Sequence, residues 1–399
     1  MKLVIPQVQR RNVLLFYLLT AFYSLWFVEA VWYFYWSKFA SYTVIGLMFS
    51  VLTIVWIVAE IPTGAFADRY GRKLSVNIGA FLQAIGAVLL AAAPNIWWLF
   101  LGGFLENIGR AFISGSLEAL VFDDLKADKS NQEFDKVMAF KAQVALIAFT
   151  TGVLIGGFAF LIYFRLPHIL QASQMILAFL VSFGLKERLR PSNGKSLKNV
   201  LKQNLVGFQQ LGKITLRPFL LPALTLMLLF FLYDWGFSKP ALAVHFGLYS
   251  RGQAILYAAM AVIAVGAVGL LPKIRRKVGD TIALPLLVAV AGLGFVLGGL
   301  PLGLMGIGTI LAIDLSGNIG EPWISIIVNK HLESQYRATS LSTLQFLVRV
   351  PFIFINIIAG RAIDAGWINS FHIIIGISAL ALALISLKIR KIATEVRQN

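Results

Sequence analysis

Glu29, Glu106, Arg110, Glu118, Asp234, Asp314, Glu321 and Arg349 all stand in stretches that are otherwise apolar. Charges placed there are costly to keep from water, so they are expected to face a cavity or a partner. Carboxyl groups in such a setting can take up and release protons, and guanidinium groups can hold carboxylates or phosphates. Glu106, Arg110, Ser114 and Glu118 step by four, which draws one slowly drifting stripe along a helix. Asp314, Asn318, Glu321 and Ser325 make a second stripe, and Ser342, Gln345, Arg349 and Asn356 a third. Glu106 and Arg110 can also neutralise each other as a packing pair, and so can Asp314 and Arg349 across two helices. Glu29 has no basic residue within its own apolar stretch. A carboxyl buried with no cation beside it suits a proton carrier. Glu29 is therefore the first candidate for proton coupling, followed by Glu106 and Asp314. The competing reading of Glu29 is a cation brought by another helix, such as Arg110.

The elements that must position these groups are long apolar helices. The chain has 399 residues, 58% hydrophobic and 13% charged, with a mean hydropathy of +0.80. A soluble domain carries about 25% charged residues. The composition predicts an all-α integral membrane protein. A span needs about 20 apolar residues, and twelve such stretches occur. Six lie at 13–36, 42–66, 75–93, 96–122, 137–163 and 167–185. Six more lie at 218–238, 252–271, 281–299, 302–328, 337–360 and 369–387. The polar stretch 186–217 divides the chain into an N-terminal six-helix half, 1–185, and a C-terminal six-helix half, 218–399. The first apolar run is too long for a signal-peptide core and has no small-residue cleavage site after it.

The net charge of +17 could suggest a nucleic-acid partner. Its placement points elsewhere. With the N-terminus inside, 28 Lys and Arg fall on one face, 5 on the other and two within spans. Such a bias sets topology. It predicts a multi-pass plasma or inner membrane protein with both termini and the central linker cytoplasmic, and no nucleic-acid partner. There is no cysteine, and the four histidines (His168, His245, His331, His372) are scattered without ligand spacing. Neither a metal site nor a cofactor is expected. No GxxxxGK[ST] loop and no enzymatic constellation occurs.

Between the second and third spans lies Gly64-Ala-Phe-Ala-Asp68-Arg69-Tyr-Gly71-Arg72-Lys73. Basic residues alone would make it a topogenic loop. The full pattern G-x-x-x-D-R-x-G-R-K resembles the loop 2–3 signature of the major facilitator superfamily of secondary transporters. Pro272-Lys-Ile-Arg275-Arg276-Lys277-Val-Gly279-Asp280, between spans 8 and 9, repeats its basic and glycine character with Arg276 in place of Asp68. Ser114-Gly-Ser-Leu-Glu118-Ala-Leu-Val-Phe-Asp123-Asp124 resembles the end of span 4 in bacterial drug-efflux members. The resemblance implies that Asp123 partners Arg69 or Arg72 in a gate with Asp68, Gly71 and Lys73.

Spans 1, 4, 7 and 10 carry most of the acids, and spans 3, 6, 9 and 12 carry no Asp, Glu, Lys or Arg. The resemblance implies that helices 1, 4, 7 and 10 line a central cavity. Its expected lining is Tyr23, Trp26, Glu106, Arg110, Ser114, Asp234, Asp314, Asn318, Glu321, Gln345 and Arg349. By position, Glu106, Arg110, Asp314 and Arg349 fall near the bilayer midplane, and Glu29 and Asp234 in its outer part. The aromatics after residue 31 read as an interfacial belt.

Two departures from the drug-proton antiporters matter. Gly103-Phe-Leu-Glu106-Asn107 lacks the family's Arg early in span 4, and Val153 replaces the Pro of its span 5 signature, although Gly152, Gly156 and Gly157 persist. The expected function is alternating-access transport, with proton-coupled efflux of a small amphipathic compound first. The alternatives are proton- or sodium-coupled uptake of an organic anion or sugar-like solute, and a non-transporting sensor. The expected partners are the lipid bilayer, a small-molecule substrate and protons or sodium, and the expected state is a bacterial monomer.

Overall fold

A computed structural model describes residues 11–127, 130–187 and 206–398. Most of the polar linker 186–217 lies outside the described residues. The first helices are α1 (Arg11–Ser24), α2 (Trp32–Trp36), α3 (Tyr42–Tyr70), α4 (Arg72–Ala92), α5 (Ile96–Ile113), α6 (Ser116–Ala127), α7 (Phe134–Ile162) and α8 (Leu166–Ser182). After the linker come α9 (Arg217–Asp234), α10 (Ser238–His245), α11 (Ser250–Gly269), α12 (Leu271–Val278), α13 (Asp280–Gly298), α14 (Ile307–His331), α15 (Ser334–Asp364) and α16 (Ile368–Gln398). Among the described residues, nine helical stretches are long and apolar enough to cross a membrane. They correspond to spans 2, 3, 5 and 7–12. The other three expected spans appear in altered form.

Span 1 is not the continuous helix expected over 13–36. It leaves the helix after Ser24 and resumes at Trp32. Span 4 is interrupted at Ser114–Gly115, where Gly115 takes φ +73°. The Glu106–Glu118 stripe is therefore split between α5 and α6. Span 6 is a shorter helix, Leu166–Ser182.

The chain clusters into two compact units. One comprises residues 1–40, 51–200 and 250–261, the other 41–50, 201–249 and 262–399. In the first, α4 packs on α5 and α8, and α1 packs on α7 and α8. Its core joins Val13, Phe16 and Leu19 of α1 to Leu117, Leu120, Val121 and Leu125 of α6, all buried. In the second unit α13 packs on α14 and α16, as α4 does on α5 and α8. The third helix of each set of six thus sits against the fourth and sixth. The same unit takes in residues 41–50. Asp364 there accepts hydrogen bonds from the backbone N–H of Tyr42 at 2.9 Å and of Thr43 at 2.7 Å, capping the start of α3.

Candidate functional site

The break in span 1 is held by its neighbours rather than by its own sequence. Gln171 of α8 accepts a hydrogen bond from the Phe27 N–H at 3.2 Å, and the Trp26 indole donates to the Tyr23 carbonyl at 2.8 Å. These bonds serve polar groups at the helix break, which could not be left bare in lipid. Gly156 of α7 lies against the Phe27 carbonyl so closely that a Cβ there would overlap it. Gly152, one turn earlier, leaves 2.8 Å for such an atom against Leu25 and Trp26. The glycines of span 5 are thus the seat of the unwound segment. Glu29 sits in this segment at 8% exposure. It has interaction partners in the fold, so the isolation expected from its own span is not its property.

Beside the break, the Arg110 guanidinium lies 5.4 Å from the Trp26 ring and 5.9 Å from the Trp56 ring. Glu106 and Arg110 act on each other electrostatically along α5. Tyr23 keeps its hydroxyl buried. Ser114, expected on the same stripe, is exposed at the break between α5 and α6. Glu118 pairs instead with Lys141 of α7.

In the second unit, Asp234 at the end of α9 forms an ion pair with Lys239 of α10 at 2.9 Å, and Glu321 feels the Asp234 charge. Lys239 lies in the connection between spans 7 and 8 and is only 5% exposed. A lysine that far from water needs such an acid. The Asn318 amide donates to the Asp314 carbonyl at 2.9 Å and its carboxylate at 3.1 Å. Asp314 and Arg349 are both buried, whereas Gln345 and Glu321 are exposed. Glu60, within span 2, is a further intramembrane acid that the sorting by spans 1, 4, 7 and 10 passed over. The tetrad Ala59-Glu60-Ile61-Pro62 carries its signal in plain view.

At loop 2–3, Gly71 takes φ +108° and opens α4. Arg72 donates to the Asp123 carboxylate and to the Ala119 carbonyl, the latter at 2.6 Å. The structure thus brings Arg72, not Arg69, to Asp123. The Arg69 guanidinium lies over Tyr70 at 5.3 Å, and Asp68 and Gly64 lie in the last two turns of α3. Glu187, at the end of span 6, accepts from the backbone N–H of Arg72 at 2.7 Å and of Lys73 at 3.3 Å. Asn12 and Lys186 exchange two bonds at 2.8 and 2.9 Å. Sequence reasoning missed both clasps, because neither residue belongs to the loop's pattern.

The matching turn before α13 inverts the charges. Gly279 takes φ +74°, and the position equivalent to Arg72 is Asp280. Arg275 grips Asp280 with two bonds, 2.6 and 2.8 Å, and Trp323 donates to the same carboxylate at 2.9 Å. That hydrogen bonding holds the Arg275 guanidinium still more firmly protonated.

A family model described as Major Facilitator Superfamily matches residues 13–355. Multidrug resistance protein 1 of Bacillus subtilis is 26% identical over 159 residues, 40% of either chain. An uncharacterized transporter of Buchnera aphidicola is 29% identical over 162 residues, 40% of this chain and 38% of that one. The matched region thus spans about two fifths of these relatives' length. The solved nucleoside transporter NupG superposes with a TM-score of 0.74 over 96% of this chain and 98% of that one, at 15% identity. A solved peptide transporter, POT, superposes with a TM-score of 0.70 over 96% and 94%, at 16% identity. At such identities the likeness is one of fold. Matched across most of its length, and helical with intramembrane charges among the described residues, the chain belongs to the Major Facilitator Superfamily.

Proposed function

We propose that this protein is a membrane transporter that works by alternating access and expels a small amphipathic compound in exchange for protons. The observation that carries the reading is the aromatic-clad charge pair of the first unit. Arg110 lies against two indoles, Glu106 is one turn away, and the break in span 1 adjoins them. A compound with an apolar body and one charge finds both complements there, a ring face and a fixed charge. A broken span beside intramembrane charges is also where transporters of many folds hold substrate. The 26% likeness to a multidrug resistance protein supports the same choice.

In this reading Glu29 carries the proton, because its unwound backbone can be remodelled between two states. Glu106 and Asp314 are the further coupling acids. Tyr23 and Trp26 are walls for the substrate, and Ser114 is a polar contact. Arg72 with Asp123 closes the gate at loop 2–3. The second reading is symport of an organic anion, favoured by Arg349, which lies 7% exposed on α15.

The test is a proteoliposome assay with an internal pH dye. The probes are a lipophilic cationic dye, a nucleoside and an organic anion. Proton counterflow with the dye alone supports efflux. Proton co-entry with the anion, and none with the dye, overturns it in favour of the second reading.

A further inference from the structure

We propose that α12, the helix between spans 8 and 9, is a docking surface for the anionic phospholipid headgroups of the adjoining leaflet. The eight residues Leu271-Pro-Lys-Ile-Arg-Arg-Lys-Val278 are amphipathic in their folded setting. Leu271 is buried and Ile274 and Val278 are half-buried, at the i, i+3, i+7 spacing of one helix face. Lys273, Arg276 and Lys277 are exposed, and their i, i+3, i+4 spacing puts them on another.

Three features select a lipid as the occupant. The helix joins α11 through Leu270 alone and α13 through Gly279 alone, and both of those helices are membrane spans. Eight residues rise about 12 Å, so α12 has no reach away from the membrane surface. Leu270, at the start of the helix, is 51% exposed and offers an apolar side chain to the same interface. Finally, the nearby acid does not neutralise the three cations. The Asp280 carboxylate is already taken by Arg275 and Trp323, with Lys330 at 3.7 Å. The same network fixes α12, since Arg275 is one of its own residues. A fixed basic face beside an exposed apolar residue at a membrane surface is the arrangement that binds acidic lipids.

The test uses the purified full-length protein in detergent, titrated with phosphatidylglycerol or phosphatidylcholine and read by native mass spectrometry. Wild type should retain phosphatidylglycerol preferentially, and raising the salt should weaken that retention. K273Q/R276Q/K277Q should lose about a hundredfold in affinity, at roughly one charge's worth of attraction per residue. K126Q/K136Q, which removes exposed charges from the last turn of α6 and the first turn of α7, should leave it unchanged. Soluble glycerol phosphate at millimolar concentration should not compete. If the triple variant fails to fold, K277E alone should lower retention severalfold. Equal retention of the two lipids, wild-type retention in the triple variant or in K277E, or displacement by glycerol phosphate would overturn the proposal. None of these readouts involves transport, so the lipid site and the efflux reading can fail separately.

Discussion

The carboxylate of Glu187 accepts a hydrogen bond from the backbone N–H of Arg72 at 2.7 Å. Two residues after span 6 has closed, the chain caps the first turn of span 3. A carboxylate there meets both the unsatisfied N–H groups and the positive end of the helix. We expect Glu187→Ala to destabilise the protein by about 1 kcal/mol at low salt and Glu187→Gln by roughly half of that, because the amide keeps an acceptor but loses the charge. Denaturant unfolding of the purified protein measures it. Equal stability of all three forms would remove the cap from the account.

Arg72 also forms the ion pair with Asp123, in which each side chain keeps 28% of its exposure. Screening at that exposure makes the pair modest. A double-mutant cycle of Arg72→Ala and Asp123→Ala should return a coupling of about 0.5–1 kcal/mol. If the pair also gates, Asp123→Asn should change labelling of a single cysteine near loop 2–3 under transport conditions. A zero coupling energy with unchanged labelling would leave the loop to topology alone.

The seat of the span 1 break gives a sharper expectation. Gly156→Ala would place a methyl group against the Phe27 carbonyl, so the unwound segment must move. Overpacking of this kind costs roughly 1–3 kcal/mol. Gly266→Ala is the control, since a methyl group there meets nothing within 4 Å and lies inside α11. That control should be neutral or stabilising by up to about 1 kcal/mol. A Gly156→Ala protein as stable as wild type would mean that α7 does not hold the break.

These contrasts show how far the sequence could be read. The spans were legible because each is a run of about 20 apolar residues, and the membrane leaves helices as the only open-chain solution. The break at Ser114–Gly115 left a local mark, a glycine between two serines. The break after Ser24 left none, for Leu25-Trp-Phe-Val-Glu-Ala-Val31 contains neither Gly nor Pro. Its cause is tertiary, in Gly156 and Gln171, more than a hundred positions away. The pairing of Lys239 with Asp234 likewise depends on the fold, since α10, the short helix between spans 7 and 8, turns the lysine back onto the acid.

Orientation can be checked with the chain's own composition, since it contains no cysteine. With the basic loops inside, Lys277→Cys should react with an impermeant maleimide only after the membrane is opened. Tyr249→Cys, 65% exposed before α11, should react in intact cells. The reverse pattern would invert the topology.

Whether Glu29 carries the proton is decided by driving the lipophilic cationic dye across proteoliposomes with an imposed pH gradient, comparing wild type, Glu29→Gln and Glu106→Gln. Glutamine fixes the uncharged form, so Glu29→Gln should abolish uphill accumulation while dye exchange without a gradient persists. Glu106→Gln should weaken dye binding and keep part of the pH-driven accumulation. Full pH-driven accumulation in Glu29→Gln, with its loss in Glu106→Gln, would contradict the account and place coupling on the Glu106–Arg110 pair.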